Sequence, residues 1–361
     1  MQGVQGLNGP DVKHQFECRM TKKIKLAING YGRIGRCIVR ALYESGSFNK
    51  QLQIVAINEL ADLETLVHLT RYDSTHGRFQ QDVTGQDGVL EIGGDRITVF
   101  KEKNPELLPW KALGIDIVLE CTGSYTDRGT AEKHIIAGAK NLIFSQPADE
   151  DIDATVVYGV NHHELQPEHT IISNASCTTN CIIPVIKTLD QELGIVKGNS
   201  TTIHSAMHDQ PVIDAYNRDL RKTRSALQSI IPVSTELNKG IGRVMPSLDG
   251  RFETLAIRVP TTNVSLMDLN VMVEKDTNVE RVNRILKKVS ENKLRGVLGF
   301  SDEELVSCDY NHDPRSGIVD GNQTRVSGTR LVKVVTWFDN EWGFSNRMLD
   351  MALALMAVKK G

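Results

Sequence analysis

The chain of 361 residues has no excess of either charge. Its 42 Lys and Arg stand against 45 Asp and Glu, a formal net charge of −3. That balance gives no support to a broad polyanion-binding surface, and no nucleic-acid partner is expected, although local basic sites can still exist. No uninterrupted apolar run approaches the ~18 residues that span a bilayer, so no membrane partner is expected either. The six cysteines, Cys18, Cys37, Cys121, Cys177, Cys181 and Cys308, are scattered. They form no disulfide framework, which points to a reducing cytoplasm. Cys177 and Cys181 stand one helical turn apart with no second ligand pair nearby, so no metal site is expected. Under oxidation those two thiols could form a non-native disulfide that would silence a Cys177 nucleophile. Internal repeats and low-complexity stretches are also lacking. Residues 1–20 have neither periodicity nor the apolar core of a signal peptide. They are expected to be a disordered extension ending at Met20, directly before the first strong strand. What remains is long enough for two domains with separate cores.

Against these absences stands one dense stretch, Ser173-Asn174-Ala175-Ser176-Cys177-Thr178-Thr179-Asn180-Cys181. A strand-like run, 170–173, precedes it. A helical apolar pattern follows through Ile182, Ile183, Val185, Ile186 and Leu189. Cys177 is therefore expected at a strand-to-helix turn, where free backbone N–H groups and the positive helix end favour a thiolate. A buried structural cysteine is the commoner case. The hydroxyl-rich flanks and a candidate base downstream, His204, argue instead for a nucleophile.

The N-terminal half reads as alternating strands and helices. The strand 25–28 leads into Gly30-Tyr31-Gly32-Arg33-Ile34-Gly35, then a helix through Ile38, Val39, Ala41 and Leu42, then a strand 53–57. This is Gly-x-Gly-x-x-Gly in its βαβ context, with an acid, Glu59, roughly 24 residues beyond the last glycine. The glycines let backbone approach a pyrophosphate at the helix N-terminus. Glu59 can accept from a ribose and would repel a 2′-phosphate, which favours NAD over NADP. Further strand patterns cover 97–100, 115–120 and 141–144. Cys121-Thr122-Gly123 and Ser145-Gln146-Pro147 fall at the carboxyl ends of the last two, the ligand-binding edge of a parallel sheet.

After the Cys177 helix the strands lengthen and alternate: 199–204, 254–259, 267–273 and 331–337. They suggest a mixed or antiparallel sheet. A polar, basic loop, 209–234, lies between the first two and has the character of a solvated surface that could reach a subunit interface. An amphipathic helix closes the chain at 346–358. The expected fold is α/β: a Rossmann-type parallel-sheet domain over 21–172 and an α+β catalytic domain over 173–345.

From Ile24 onward the chain resembles the phosphorylating glyceraldehyde-3-phosphate dehydrogenase family. The resemblance is carried by Ile28 to Arg36, Tyr72-Asp73-Ser74-Thr75-His76-Gly77-Arg78-Phe79, Ser173 to Cys181, Arg258-Val259-Pro260-Thr261 and Asp339-Asn340-Glu341-Trp342-Gly343. Within that family it looks most like the erythrose-4-phosphate dehydrogenase branch, through His204-Ser205-Ala206-Met207-His208-Asp209-Gln210, Val212 to Tyr216, Asp153 to Asn161 and Asn311-His312-Asp313-Pro314. The resemblance implies Cys177 as nucleophile and His204 as its activating partner. Arg33, Ile34 and Asn340 would touch the cofactor, with Lys103 where the subgroup commonly has an arginine. Ser176, Thr178, Thr235, Glu236 and Arg258 would line the substrate and anion sites, joined by Lys222 where the family has an arginine. The family is usually tetrameric, and its C-terminal helix packs back onto the cofactor domain, which implies the same for the segment 346–361.

Together these readings imply NAD-dependent oxidation of an aldehyde through a thiohemiacetal and a thioester. Glu236, where the glycolytic enzymes have a glycine, would repel inorganic phosphate if it points inward. Met207 replaces a threonine that contacts the substrate's phosphate. Both changes favour a four-carbon sugar phosphate and release by water, a step in pyridoxal 5′-phosphate biosynthesis. The alternatives are a glycolytic enzyme that makes an acyl phosphate and a non-catalytic dinucleotide-binding regulator.

Overall fold

The computed structural model describes residues 22–359; the expected extension, residues 1–20, lies outside them. Two sheets organise the chain. The first has nine strands. Its parallel part runs in the spatial order Ala154–Thr155, Ile171–Ser173, Leu142–Phe144, Ile117–Glu120, Ile24–Asn29, Leu52–Asn58 and Asp95–Phe100. Helices cover both faces, so the central strands are near-continuous apolar runs; Leu26, Ala27 and Ile28 are all fully buried.

Two antiparallel strands extend this sheet, Val89–Ile92 and Val83–Gln86. The turns that fold them are Asp87-Gly88, with φ of 51° and 75°, and Gly93-Gly94, with φ of 56° and 88°. A two-residue hairpin with both centres at positive φ matches the strand twist, and Asp-Gly and Gly-Gly supply it at low cost. The pattern of parallel strands alone gave no sign of this arm; the two dipeptides were its signal.

The second sheet has seven strands in the order Ile231–Val233, Phe252–Val259, Ile195–Ser205, Ser265–Val273, Leu331–Phe338, Gly317–Ser327 and Leu298–Ser301. It is mixed: Ile195–Ser205 pairs parallel with Phe252–Val259 and antiparallel with Ser265–Val273. Alternate residues of Ser265–Val273, among them Met267, Leu269 and Val271, face the helix Cys177–Leu193 through its Ile182, Ile183, Val185 and Ile186. The stretch expected as one long loop, 209–234, contains the edge strand Ile231–Val233 at its end.

The C-terminal helix is Trp342–Val358, four residues longer at its start than the apolar pattern predicts. The Asp339 carboxylate accepts from the backbone N–H groups of Glu341 and Trp342 at 3.0 and 2.8 Å, which caps the early start. Met348, Leu349, Met351, Ala352 and Leu355 of this helix join the first core beside Ile38, Val39 and Leu42 of the helix Arg33–Glu44. The chain thus returns from the second sheet to pack on the first. No helix of the described residues is long and apolar enough to cross a membrane.

Candidate active site

The turn after the first strand has three glycines with three different duties. Gly30 has φ +91°, and a Cβ there would stand 2.6 Å from the Thr122 nitrogen. A Cβ on Gly35 would strike the Gly30 carbonyl oxygen, so this glycine allows the helix to approach the strand. Gly32 has open space where its Cβ would be. It caps the helix Arg33–Glu44 in extended backbone without a side-chain cap, so the first N–H groups of that helix face a cradle that a side chain would fill. A pyrophosphate fits such a cradle. Beside it, a cleft of about 680 Å³ is lined by Gly30, Gly32, Glu59, Lys103, Thr122 and Lys133 among others. Glu59 follows the second strand, and its carboxylate accepts from the N–H groups of Tyr31 (2.8 Å) and Leu60 (2.7 Å). Those bonds fix the acid at the position where an adenosine ribose is read in dinucleotide-binding folds.

A second cleft, about 390 Å³, lies on the other side of the glycine turn. It is lined by Arg33, Ile34, Ser176, Cys177, His204, Met207 and Asn340 among others. The residues expected to hold the cofactor are therefore divided between two adjoining clefts. Asn340 Oδ1 accepts from the hydroxyls of Ser205 (3.0 Å) and Ser265 (3.1 Å), which leaves its amide N–H groups as the donors it can offer. The Arg33 side chain departs from expectation. Its guanidinium is bound by Glu341, with Nε to Oε1 at 2.9 Å, and by Asp73. Two carboxylates hold it, so any cofactor contact by Arg33 falls to its backbone and side-chain stem.

Cys177 is the first residue of the helix Cys177–Leu193. Before it, Ala175 takes φ +55°, a left-handed conformation that costs a non-glycine residue about 1 kcal/mol. Ser176 caps the helix: its hydroxyl accepts from the Thr179 N–H at 3.1 Å and pairs with the Thr178 and Thr179 hydroxyls at 2.8 Å each. Cys177 Sγ lies 3.8 Å from His204 Nε2. His204 is near the end of the strand Ile195–Ser205, and the parallel register sets Arg258 directly beside it. Arg258 Nη1 reaches His204 Nδ1 at 2.6 Å, and the Ser205 carbonyl lies 2.8 Å from the same nitrogen.

The charges are not those of a preformed thiolate–imidazolium pair. Burial pushes the Cys177 thiol up to about 11, despite the opposing pull of Arg258 and of the Thr178 and Cys177 backbone N–H groups. Burial, then Arg258, holds His204 down at about 4. The expected stabilisation by the helix end has the right sign, but enclosure of the sulfur outweighs it. A neutral thiol thus faces a neutral imidazole, so an attack by this sulfur would require transfer of its proton. The Ser205 carbonyl favours a proton on Nδ1, which leaves the Nε2 lone pair toward the thiol. Arg258 favours the opposite tautomer, with Nε2–H as donor. Both forms have a partner in place, as a base that later becomes an acid requires.

Of the six expected substrate residues, Ser176 alone lines the cleft that holds Cys177. Glu236 precedes the helix Leu237–Val244; its side chain is 76% exposed and pairs with Lys239 at 2.7 Å. The carboxylate turns to solvent because a cation one helical turn onward is available there, and it does not face the thiol. Lys222 Nζ is bound to Asp209 at 2.8 Å. The Thr235 hydroxyl accepts from the Leu237 N–H at 3.3 Å. Thr178 and Arg258 stand one contact behind the cleft, Thr178 bonded to the Ser176 hydroxyl and Arg258 to His204. Thr262 and Phe344 also line the cleft. Neither has a local sequence signal: Thr262 comes from the loop after the strand Phe252–Val259 and Phe344 from the first turn of the helix Trp342–Val358, and only the packing of the fold brings them together.

One other cluster joins potential metal donors among the described residues: Cys37, His76 and Glu341. Both Glu341 oxygens are taken by Arg33, so an ion there would first have to displace a guanidinium.

A dinucleotide cradle at the carboxyl edge of a parallel sheet, abutting a cysteine–histidine pair, defines the class of an NAD-dependent dehydrogenase. Comparison with known families agrees. Residues 24–128 match the model of the glyceraldehyde 3-phosphate dehydrogenase NAD binding domain, and residues 176–340 match that of the glyceraldehyde 3-phosphate dehydrogenase C-terminal domain. The chain belongs to the glyceraldehyde 3-phosphate dehydrogenase family: it is an NAD-dependent dehydrogenase of sugar phosphate aldehydes.

Proposed function

We propose that the protein oxidises D-erythrose 4-phosphate to 4-phosphoerythronate, the thioester being released by water, as one step of pyridoxal 5′-phosphate synthesis. Cys177 Sγ attacks the aldehyde carbon as its proton passes to His204 Nε2. The imidazolium then faces the developing alkoxide and stabilises it. NAD, when bound, supplies the hydride acceptor that turns the thiohemiacetal into the thioester. His204 gives up its proton to solvent as the thioester forms and, neutral again, takes a proton from water as the water attacks the thioester carbon. Cys177 departs as the thiolate and regains a proton, leaving the carboxylate product.

The observation that carries this reading is the shortage of uncommitted cations around the sulfur. Arg258 is the one strong cation facing the Cys177–His204 pair without a carboxylate partner among the described residues. Arg33 is bound by Glu341 and Asp73, and Lys222 by Asp209. Met207 lines the cleft with an apolar side chain. One cation serves the substrate's own phosphate; a second phosphate, as attacking group, would have none. Glu236 lends no help, since its carboxylate faces solvent. Its outward turn leaves room for an attacking phosphate and is the specific point in favour of the glycolytic alternative. The intact thiol–imidazole pair argues against a non-catalytic regulator.

The test is NADH formation from erythrose 4-phosphate and from glyceraldehyde 3-phosphate, each with and without inorganic phosphate. Efficient, phosphate-independent turnover of the four-carbon sugar is expected. Phosphate-dependent turnover favouring the three-carbon sugar would overturn the proposal. The stretch 209–234 also exposes Val212, Ile213, Tyr216 and Leu220, which supports a homotetramer with this segment at a subunit interface.

A further inference from the structure

Away from both clefts of the active site, a third cleft of about 440 Å³ opens where the two sheets' outlying loops meet. One wall is the segment Tyr158 to His163, which follows the strand Ala154–Thr155 of the first sheet. The other is the segment Lys293 to Val297, which leads into the strand Leu298–Ser301 of the second. The walls are tightly joined. Gly159 has φ +84°, and a Cβ there would come within 3.1 Å of Leu294 and 3.3 Å of Val297.

The groups facing this cleft are predominantly cationic or proton-bearing. His162, His163, Lys293 and Arg295 all line it. His162 Nδ1 accepts from the Gly159 N–H at 3.1 Å, so the proton of the neutral ring sits on Nε2, as a donor. The ring also packs on Tyr158 with centroids 4.6 Å apart, which fixes its direction. Lys293 and Arg295 have no ion-pair partner among the described residues. The nearby acids are accounted for: Glu164 stands 3.8 Å from His163 with both side chains exposed, and Asp350 is bound to Arg347 at 2.6 Å.

Lys293 also lines two adjoining clefts. One adds Arg281, Arg284 and Lys288, with a single acid, Glu192; the other reaches Lys187. The Lys187 Nζ donates to the Val160 carbonyl at 2.6 Å. Its ammonium is held below the usual lysine range by burial and then by the Lys293 charge, and His162 is lowered by burial, then by His163 and Lys187. Like charges crowd here and already pay for one another's presence. An arrangement of this kind gains most when a compact polyanion enters. One phosphate would engage only part of the set, whereas two linked phosphates span several donors at once.

We propose that this cleft is a second anion site, which binds the diphosphate group of a small molecule through His162, His163, Lys293 and Arg295. It lies apart from the machinery of hydride transfer but not out of mechanical reach of it. Lys187 is on the Cys177 helix, about 15 Å along its axis from the nucleophile at 1.5 Å per residue. The Tyr158 wall is also covered by Arg347 of the C-terminal helix, 5.9 Å from the ring, whose Nη1 donates to the Gly296 carbonyl at 3.1 Å. An anion in the cleft would therefore touch the seam between the two sheets.

The experiment is calorimetric titration of the full chain, saturated with NAD, with inorganic pyrophosphate and separately with ADP. Wild type is compared with Lys293→Gln/Arg295→Gln and with Arg258→Gln. The double variant alters two exposed side chains and should retain basal dehydrogenase activity, which confirms that it folds. Its expected result is a tenfold or greater loss of pyrophosphate affinity, while Arg258→Gln retains that binding. Shifts of the His162 and His163 ring signals in NMR spectra on adding pyrophosphate would place the anion directly. Equal affinity for pyrophosphate and ADP marks the diphosphate as the recognised group, and tighter ADP binding marks a nucleoside diphosphate; both outcomes support the site. Absence of binding, binding unaffected by the double variant, or binding lost only in Arg258→Gln would overturn it.

Discussion

The protonation state of Cys177 can be tested without any substrate. With the thiol near 11, titration arithmetic leaves about one molecule in 10⁴ as thiolate at pH 7 and about one in 10² at pH 9. Only the thiolate is alkylated. The rate of Cys177 carbamidomethylation by iodoacetamide, read by peptide mass spectrometry, should therefore rise about tenfold per pH unit between 7 and 9 without levelling. A cysteine activated by a standing imidazolium would behave differently, with a plateau from about pH 6–7 upward. Arg258 sharpens the test. Its guanidinium opposes burial at the sulfur and adds to burial at His204. Arg258→Gln should thus move the thiol further up and release the imidazole upward, by about one pH unit for a close charge in a partly screened site. Alkylation at pH 9 would slow several-fold, while the His204 ring signals in NMR would titrate nearer neutrality. A plateau below pH 8 in the wild type, or faster alkylation in Arg258→Gln, would refute the reasoning.

Other expectations are more direct. His204→Asn should reduce kcat/KM by about 10²–10⁴-fold, the usual worth of a positioned general base, with NAD affinity by fluorescence titration nearly unchanged. Gly30→Ala should cost more than about 2 kcal/mol in urea unfolding, since it adds positive-φ strain to a 2.6 Å collision with Thr122, and NAD binding should fail with it. Glu59→Ala should weaken NAD binding and narrow the preference for NAD over NADP, measured as the ratio of their kcat/KM values. His134, fully buried between Trp110 and Tyr125, is held by burial at about 4. A depressed imidazole contributes stability that is complete above its unfolded value near 6.5 and is lost as pH falls toward 4. That loss is about 3 kcal/mol, and His134→Gln should flatten this part of the pH–stability curve in chemical unfolding.

Much of this protein is set by local sequence. The glycines at 30, 32 and 35, the strand before them and the acid after the next strand define a dinucleotide cradle, because each position answers to backbone sterics within one βαβ unit. Cys177 at the start of a helix is equally local, since Ser176 supplies the cap and the apolar residues that follow supply the face. The turn dipeptides Asp87-Gly88 and Gly93-Gly94 belong with these, as their preference for positive φ needs no distant partner.

Tertiary structure decided the rest. His204 meets Cys177 only through packing of the second sheet against the Cys177 helix, and Arg258 meets His204 only through the parallel register of two strands. The thiol's protonation depends on enclosure of the sulfur, which outweighs the helix end that the sequence advertises. Position in a motif points Arg33 and Glu236 toward ligand sites, yet their heads lie elsewhere: one with Glu341 and Asp73, the other with Lys239 and solvent. A charged side chain settles where its strongest available partner lies, and for a long side chain that partner can be hundreds of residues away or one turn along its own helix. Backbone conformation is a local property; electrostatic partnership is a property of the assembled fold.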